Sequence, residues 1–323
     1  MSMTIPDQQS SKRGRAARKP RHIPLRGWLD ILIRTKNQIA TDNLSLVAAG
    51  VAFYALLAIF PTLAASISLY GIIADTADIR QQIDNLAVLM PADARPILLD
   101  QVDILVESSE KTLGLTFIAG LIVALFSAMK GMKAIIMALN IAYNEQEKRS
   151  FLKLNLIAFL LTLASVILMV FMLSFVVAVP VLLRYIPLGD YISIFLKLLR
   201  WPVVVVILSM ALAVLYHFAP SRNEARWLWV SWGAGVATVM WLLVSIGFSV
   251  YVDNFGNYNK VYGSIGALVI LLMWFYISAY ALLIGAELNA EMELQTKKDT
   301  TVGKPEPMGE RGAFVADNLG ERQ

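Results

Sequence analysis

The residues able to bind a charged ligand are few in this sequence, and they stand at the ends of long apolar runs. Lys130 and Lys133 are three residues apart, so they share one face of a helix. Glu287 and Asn289 stand where the last apolar run ends. An ion pair between Glu287 and either lysine would reduce the cost of placing these charges in low-dielectric surroundings. The pattern predicts a substrate-binding site for an anionic group, with simple anchoring of the lysines at a membrane surface as the alternative.

Asn140 and Tyr143 extend this candidate site. They follow the two lysines at helical spacing and lie three residues apart, so they also share a face. From that face they could hydrogen-bond to another helix. They are candidate substrate-binding residues, and helix packing is the alternative role.

A second group of residues could allow movement. Pro61 lies inside an apolar run, where it removes a backbone hydrogen bond and predicts a kink. Residues 251–266 are rich in Tyr, Asn and Gly, and Tyr251, Tyr258, Tyr262 and Gly263 are candidate gating residues. The alternative is an aromatic belt at the membrane surface followed by a turn.

The composition argues against several kinds of chemistry. The 323 residues include no cysteine and two histidines, which excludes thiolate nucleophiles and cysteine zinc sites. The sequence lacks a GxxxxGK[ST] phosphate-binding loop. We therefore expect no catalytic residue, no metal and no cofactor, and we do not expect an enzyme or a nucleic-acid partner.

The balance of apolar and charged residues indicates a membrane protein. Hydrophobic residues make up 57% of the chain and charged residues 16%, too few charges for the surface of a soluble domain. A helix needs about 20 apolar residues to cross a bilayer. Six runs of about this length lie at 46–74, 113–129, 154–183, 201–219, 227–252 and 261–286. The fold class is therefore all-α, a polytopic membrane protein with six transmembrane helices.

The segments outside these runs are of three kinds. Residues 25–40 have apolar positions at helical spacing with basic residues between them, which predicts an amphipathic helix lying in the membrane interface. Residues 75–112 predict two amphipathic helices on the outer face. The six-span domain would occupy 25–295, and the flanking segments 1–24 and 296–323 are predicted to be disordered cytoplasmic tails.

The distribution of Lys and Arg predicts the orientation. With the N-terminus inside, 21 of the 28 basic residues fall on the inner side. Basic residues in short loops are retained in the cytoplasm. Both termini are therefore predicted to be cytoplasmic, in a bacterial inner membrane.

Several motifs resemble those of the YihY/BrkB family of bacterial inner-membrane proteins. They are AFYALLAIFP, SAMKGMKAIIMALNIAYNEQEKRSF, YHFAP, NFGNYNKVYGSIGALVILLMWFY and GAELNAE, spread over residues 25–295. The resemblance implies six spans with both ends inside, and an activity described variously as transport, virulence or, in an older label, a ribonuclease. The family's recurrent positions correspond here to Phe53, Tyr54, Pro61, Gly71, Lys130, Gly131, Asn140, Tyr143, Arg149, Pro220, Tyr251, Tyr262, Gly263, Gly285, Glu287 and Asn289.

Three functions are compatible with these observations. The favoured one is a transporter or flippase-like protein for an amphiphilic or anionic substrate, such as a lipid or a lipid-linked molecule. The second is a non-transporting scaffold or envelope assembly factor, which would bind a protein partner or a second copy of itself. The third is an enzyme, disfavoured because the acidic residues on the inner side are spread through the tails instead of grouped to hold a metal.

Overall fold

The computed structural model describes residues 13–70, 115–185, 190–255 and 264–321. These residues form helices α1 (Leu25–Thr41), α2 (Leu44–Tyr70), α3 (Leu115–Ala142), α4 (Phe151–Tyr185), α5 (Asp190–Phe218), α6 (Trp227–Phe255), α7 (Ser264–Glu293) and the short α8 (Phe314–Asp317). The described residues form no strand; a single bridge pairs Ala225 with Thr301. The all-α class is confirmed.

Among the described residues, five helices, α3 to α7, are long and apolar enough to cross a membrane. The number rises to six if α1 and α2 are counted as one bent span. The predicted polytopic architecture is therefore confirmed. Helix α2 continues through Pro61 to Tyr70, and the predicted kink at Pro61 stays a prediction. Residues 71–114, with the two predicted external helices, lie outside the described residues.

Two asparagines in left-handed backbone conformations follow the ends of helices α1 and α3. Asn43 (φ 51°) separates α1 from α2, which meet at an angle of 64°. Asn144 (φ 54°) follows α3. Asparagine tolerates this conformation better than most residues, so it commonly ends a helix and redirects the chain.

Helix α3 differs from the predicted second span at 113–129. It does not stop at the lysines but runs on to Ala142, and its stretch Leu125–Ala142 is long and apolar enough to span a membrane. Lys130 is exposed at the side of the helix, and Lys133 Nζ donates a hydrogen bond to Asn155 Oδ1 on α4 (2.5 Å). Lysines that place their charge beside a helix do not interrupt its backbone.

The interior is formed mainly where α2, α3, α6 and α7 pack together. Small residues allow close approach: a Cβ added to Gly131 would lie 3.0 Å from Ala58 Cβ on α2. A Cβ on Gly285 would lie 2.6 Å from the backbone oxygen of Gly233 on α6. Helices that meet through small residues gain van der Waals contact along their length.

The chain ends depart from the predicted disorder where the structure describes them. Residues 13–24 and 296–321 pack against the helix ends, with Ala17, Ile23 and Val315 buried. Buried Arg15 and Arg311 hold these segments by donating to backbone carbonyl oxygens. The low apolar content suggested disorder, but arginines bonded to free carbonyl groups supply the order instead.

Helix α1 confirms the helix predicted for residues 25–40 and has an unusual distribution of side chains. Leu25, Leu29 and Leu32 are exposed, whereas Asp30 and Arg34 are buried. A helix with its apolar side outward suits an apolar environment on that side. This distribution is what the predicted position at a membrane surface requires.

Candidate functional site

One end of the helical bundle collects four chain segments: residues 13–43, 143–150, 219–226 and 294–321. Arg15 donates to Leu294 O (3.0 Å), and Arg149 donates to Ala219 O (2.9 Å). The backbone nitrogen of Phe314 donates to Glu145 Oε1 (2.6 Å). We call this end the terminal face. The orientation predicted from the distribution of Lys and Arg likewise places the two chain ends on one side of the membrane.

A cavity of about 530 Å³ opens in the terminal face. It lies where the linker between α3 and α4 meets the linker between α5 and α6. Its lining consists of Lys148, Arg149, Ser150, Lys153, Ile157, His217, Phe218, Pro220, Ser221, Arg222, Asn223, Glu224 and Gly312. Four of these residues are cationic and one is acidic, so we call it the basic cavity. Its volume falls in the range of small-molecule binding sites.

Arg222 forms one wall of the basic cavity. It donates to both carboxylate oxygens of Glu293 (3.0 and 2.7 Å), and the guanidinium carbon lies 5.2 Å from the ring centroid of Tyr143. Thr300 donates a third hydrogen bond to Glu293 (2.5 Å). Burial acts to lower the pKa of Arg222, but the attraction of Glu293 outweighs it and the pKa is raised. Arg222 therefore stays charged although its side chain is 1% exposed.

Arg149 is fixed by a second network. It binds Glu147 through Nε (2.7 Å) and Nη2 (2.7 Å). Asn140 donates to Glu147 (3.1 Å) and accepts from the backbone nitrogen of Ser221 (2.7 Å). Burial acts to raise the pKa of Glu147, but these hydrogen bonds outweigh it and hold the pKa at about 2. The two linkers are thus joined through ionised groups.

His217 contributes a buried polar atom to the basic cavity. Its ring stacks on Trp227 (4.2 Å between centroids) and meets the edge of Phe218 (4.5 Å). Nε2 lies 3.3 Å from Glu224 Oε2, while the buried Nδ1 has no hydrogen-bond partner among the described residues. A buried imidazole nitrogen without a partner is costly unless a ligand or water completes its hydrogen bonding.

Two lysines stand at the rim of the basic cavity. Lys148 lies 3.0 Å from Glu145, with its own side chain 66% exposed. Lys153 is exposed and has no acidic atom within 4 Å among the described residues. Since Lys148, Arg149 and Arg222 are all paired with carboxylates, Lys153 supplies the uncompensated positive charge of the cavity.

Glu287 lies on a different side of the terminal face, toward α1. It is 0% exposed, and neither carboxylate oxygen has a hydrogen-bond donor among the described residues. One turn further along α7, Glu291 accepts from Arg34 of α1, which also donates to Gln295 (2.9 Å). Arg34, the cation that α1 brings to this side, is therefore already bound to Glu291 and does not neutralise Glu287.

Asn289 joins α7 to α6. Its Oδ1 accepts from the backbone nitrogen of Gly233 (2.8 Å), and its Nδ2 donates to Val230 O (3.1 Å). Tyr216 of α5 donates to the backbone oxygen of Leu282 on α7 (2.7 Å). Asn289 thus makes helix-to-helix contacts in this structure, and its predicted contact with a substrate stays a prediction.

The predicted pairing of Glu287 with Lys130 or Lys133 is not formed within the described residues. Lys133 points to α4, where it bonds Asn155 and its Nζ lies 6.0 Å from the ring centroid of Phe151. Glu287 faces α1 instead. Both ends of the predicted pair lie toward one side of the bundle, but on different faces of it. The structure therefore separates the predicted site into two regions.

Asn140 and Tyr143 do lie together, as predicted, beside the basic cavity. Asn140 was predicted to hydrogen-bond to another helix; it accepts instead from the backbone nitrogen of Ser221 in the linker between α5 and α6, and its contact with a substrate stays a prediction. Tyr143 is fully buried against Arg222. Among the candidate gating residues, Tyr251 is exposed and stacks on Phe248 (6.3 Å). Tyr258, Tyr262 and Gly263 lie outside the described residues.

Sequence reasoning missed Arg34, His217 and the Arg222–Glu293 pair as components of the site. Arg222 follows the apolar run at 201–219 and Glu293 follows the run at 261–286, and this shared position at the ends of two runs was the available signal. No group of three or more His, Asp or Glu side chains in the described part of the chain is placed to hold a metal ion.

Comparisons with known proteins give one family. A family model described as "Virulence factor BrkB" matches residues 35–309. The chain is 34% identical to the "Putative ribonuclease-like protein YfkH" of Bacillus subtilis over 259 residues, which are 77% of this chain and 90% of that protein.

Shorter matches link the chain to proteins called UPF0761 membrane proteins. One from Alteromonas mediterranea is 38% identical over 84 residues, 26% of this chain and 28% of that protein. One from Xanthomonas oryzae is 43% identical over 60 residues, 19% of this chain and 14% of that protein. No solved structure matches the chain.

Proposed function

We propose a transport function for this chain, which belongs to the BrkB family of membrane proteins: it moves an anionic amphiphile of the lipid type across the bacterial inner membrane. The observation that carries the proposal is the basic cavity. It combines cationic side chains with apolar ones at the end of two long apolar helices. That arrangement suits a ligand with a charged head and a hydrocarbon tail.

The charged part of the ligand would lie among Lys148, Lys153 and His217. Lys153 has no carboxylate partner among the described residues, Lys148 is exposed beside Glu145, and His217 Nδ1 has an unused hydrogen-bonding position. Arg149 and Arg222 shape the wall but are held by Glu147 and Glu293. Basic pockets between helices at the membrane surface are typical binding places for anionic head groups.

The apolar part of the ligand would follow the helices above. Ile157 and Phe218 belong to the cavity lining, and Phe218 is 42% exposed. Leu160, three residues beyond Ile157 on α4, is 52% exposed. A hydrocarbon tail placed along these side chains would leave the head group in the cavity.

The proposal includes an orientation. The terminal face carries most of the basic residues of the chain, so the positive-inside rule places it in the cytoplasm. The ligand would then enter or leave the basic cavity at the cytoplasmic leaflet. An accessibility tag on the last residue should be labelled only after the cells are opened.

A reconstitution experiment tests transport. The full chain is placed in phosphatidylcholine vesicles with a trace of fluorescent phosphatidylglycerol, and a membrane-impermeant quencher reports the probe that has moved inward or outward. We expect faster movement than in empty vesicles, and slower movement of fluorescent phosphatidylcholine. No movement of either probe would contradict transport, and bound lipid without movement would favour the scaffold function.

A matched pair of variants connects the transport to the cavity. Lys153→Gln removes an uncompensated charge from the cavity rim, whereas Lys36→Gln removes an exposed charge from α1 outside the cavity lining. One lysine near an anionic head group contributes about 1 kcal/mol, so Lys153→Gln should lower phosphatidylglycerol movement about 5-fold. If both variants lowered phosphatidylglycerol movement equally, the basic cavity would not be the binding site for the transported lipid.

A further inference from the structure

The second region of the terminal face contains two carboxyl groups that face each other. Asp42, at the C-terminal end of α1, interacts side chain to side chain with Glu287 of α7. Both oxygens of Asp42 accept from Gln38 Nε2 (3.0 Å each). Glu287 is 0% exposed, and its oxygens have no donor among the described residues. We call Asp42 and Glu287 the carboxyl pair.

The charged groups around the carboxyl pair do not neutralise it. From α1 the cation is Arg34, which is bound to Glu291. Glu291 of α7 adds a further negative charge, and Tyr143, which follows α3, also interacts electrostatically with Glu287. In the described parts of α2 and α6, no titratable side chain interacts with Glu287. The C-terminal end of α1 also carries the negative end of a helix dipole.

Two ionised carboxylates cannot face each other without water, a cation or a proton between them. Burying one ionised carboxylate is unfavourable by itself, and a second one at contact distance adds repulsion. A single shared proton removes the repulsion and supplies the donor that Glu287 lacks, and the two groups then titrate as one unit. We propose that the carboxyl pair is a proton-binding site that holds one proton at neutral pH.

The position of the carboxyl pair links this proton to the placement of α1. Asp42 is partly exposed and adjoins the 64° bend at Asn43, whereas Glu287 is enclosed, so exchange with water runs through Asp42. Loss of the proton would leave two negative charges between α1 and α7. The C-terminal end of α1 would then be repelled from Glu287. The Arg34–Glu291 pair, one turn further along α7, would still hold α1 against α7. The site is defined by the carboxyl pair alone, so it is tested separately from transport.

Infrared difference spectroscopy of the full chain in lipid nanodiscs tests the proton directly. A protonated carboxyl group has a carbonyl stretching band that an ionised carboxylate lacks. At neutral pH we expect wild type minus Glu287→Gln to show the loss of one such band. Glu310→Gln, at an exposed carboxyl group, should show no loss. An unchanged carbonyl region in folded Glu287→Gln would overturn the proposal.

Two further variants keep the test decisive if Glu287→Gln does not fold. Glu287→Asp retains an acid but changes its surroundings, so the band should shift without disappearing. Asp42→Asn replaces the facing carboxyl group with an amide, which should also shift the band. A band that neither substitution moves would mean that the proton is held elsewhere, and this result would overturn the proposal whatever the transport assay gives.

Discussion

Two carboxylates on α7, Glu287 and Glu293, are both 0% exposed and lie six residues apart, yet their surroundings are opposite. Glu293 accepts hydrogen bonds from Arg222 and Thr300. Glu287 has no donor in the described part of the structure and faces Asp42. The comparison teaches that one fold neutralises buried negative charge in two ways: by a fixed cation in the basic cavity, and by the proton proposed for the carboxyl pair.

The difference follows from what each side chain can reach. The linker of residues 219–226 passes over the end of α7 and brings Arg222 to Glu293. Glu287 is deeper on the helix and meets the end of α1, whose cation Arg34 is taken by Glu291. A permanent ion pair fixes a structure, whereas a group neutralised by a proton can change its charge.

The largest expected effect is that of Glu293→Gln. It leaves Arg222 buried without its ionic partner, and removal of one partner of a buried pair costs about 3–5 kcal/mol. The free energy of unfolding of the purified protein, measured by denaturant titration in detergent, should fall by that amount. Glu310→Gln on an exposed carboxylate is the control. A loss below about 1 kcal/mol would make the two glutamates alike and end the comparison.

Asn289→Ala should have the next largest effect. The residue stands between the two glutamates on α7 and joins this helix to Gly233 and Val230 on α6. Loss of two buried hydrogen bonds costs about 1–3 kcal/mol. The same denaturant titration measures it, with exposed Asn318→Ala as the control. If stability is unchanged, the environments of Glu287 and Glu293 do not depend on this contact.

Acid should remove the stabilisation that Glu147 gives to the basic cavity through its bonds with Arg149 and Asn140. The pKa of Glu147 is about 2 in the folded protein and about 4.5 in the unfolded chain, so the unfolded chain takes up the proton first as the pH falls. The stabilisation is complete above pH 4.5 and is lost between about pH 4.5 and 2. Because Glu147 is partly exposed, we expect about 1 kcal/mol. Glu147→Gln should flatten this part of the stability profile, and an identical acid limb in both proteins would contradict the assignment.

The smallest expected effect sharpens the comparison most. Glu287→Gln replaces one member of the proposed proton-sharing pair with an uncharged amide of the same shape, which can donate to Asp42 in place of the proton. The free energy of unfolding at neutral pH should change by less than about 1 kcal/mol. Measured beside Glu293→Gln, the same substitution on the same helix then gives two different results. A loss as large as that of Glu293→Gln would show that Glu287 is ionised and has a partner.

Much of the fold could be predicted from the sequence. Apolar runs predicted the spanning helices because burial in lipid needs a continuous apolar length. The boundaries were less accurate: the second span was ended at Met129, whereas α3 continues to Ala142. Order in the chain ends was missed because it depends on arginines such as Arg15 that bind carbonyl groups far away in sequence.

Less of the candidate site could be predicted. The distribution of Lys and Arg predicted that both chain ends lie on one side of the membrane, but it contains no information about the direction in which each helix face points. Lys133 and Glu287 were therefore expected to pair, although one faces α4 and the other α1. The partners that replace this pair, Arg34 with Glu291 and Arg222 with Glu293, depend on how linkers fold over the helix ends.

The contact between Arg15 and Leu294 has a consequence for how the protein is made in the cell. These residues are 279 positions apart, and Arg15 also holds Gly320 near the other end of the chain. At a translation rate of about 5–20 residues per second, Arg15 waits roughly 15–60 seconds after leaving the ribosome before its partners exist. A chain whose synthesis stops before residue 294 contains neither of these carbonyl groups, so its Arg15 lacks the contacts that join the two chain ends in the folded protein.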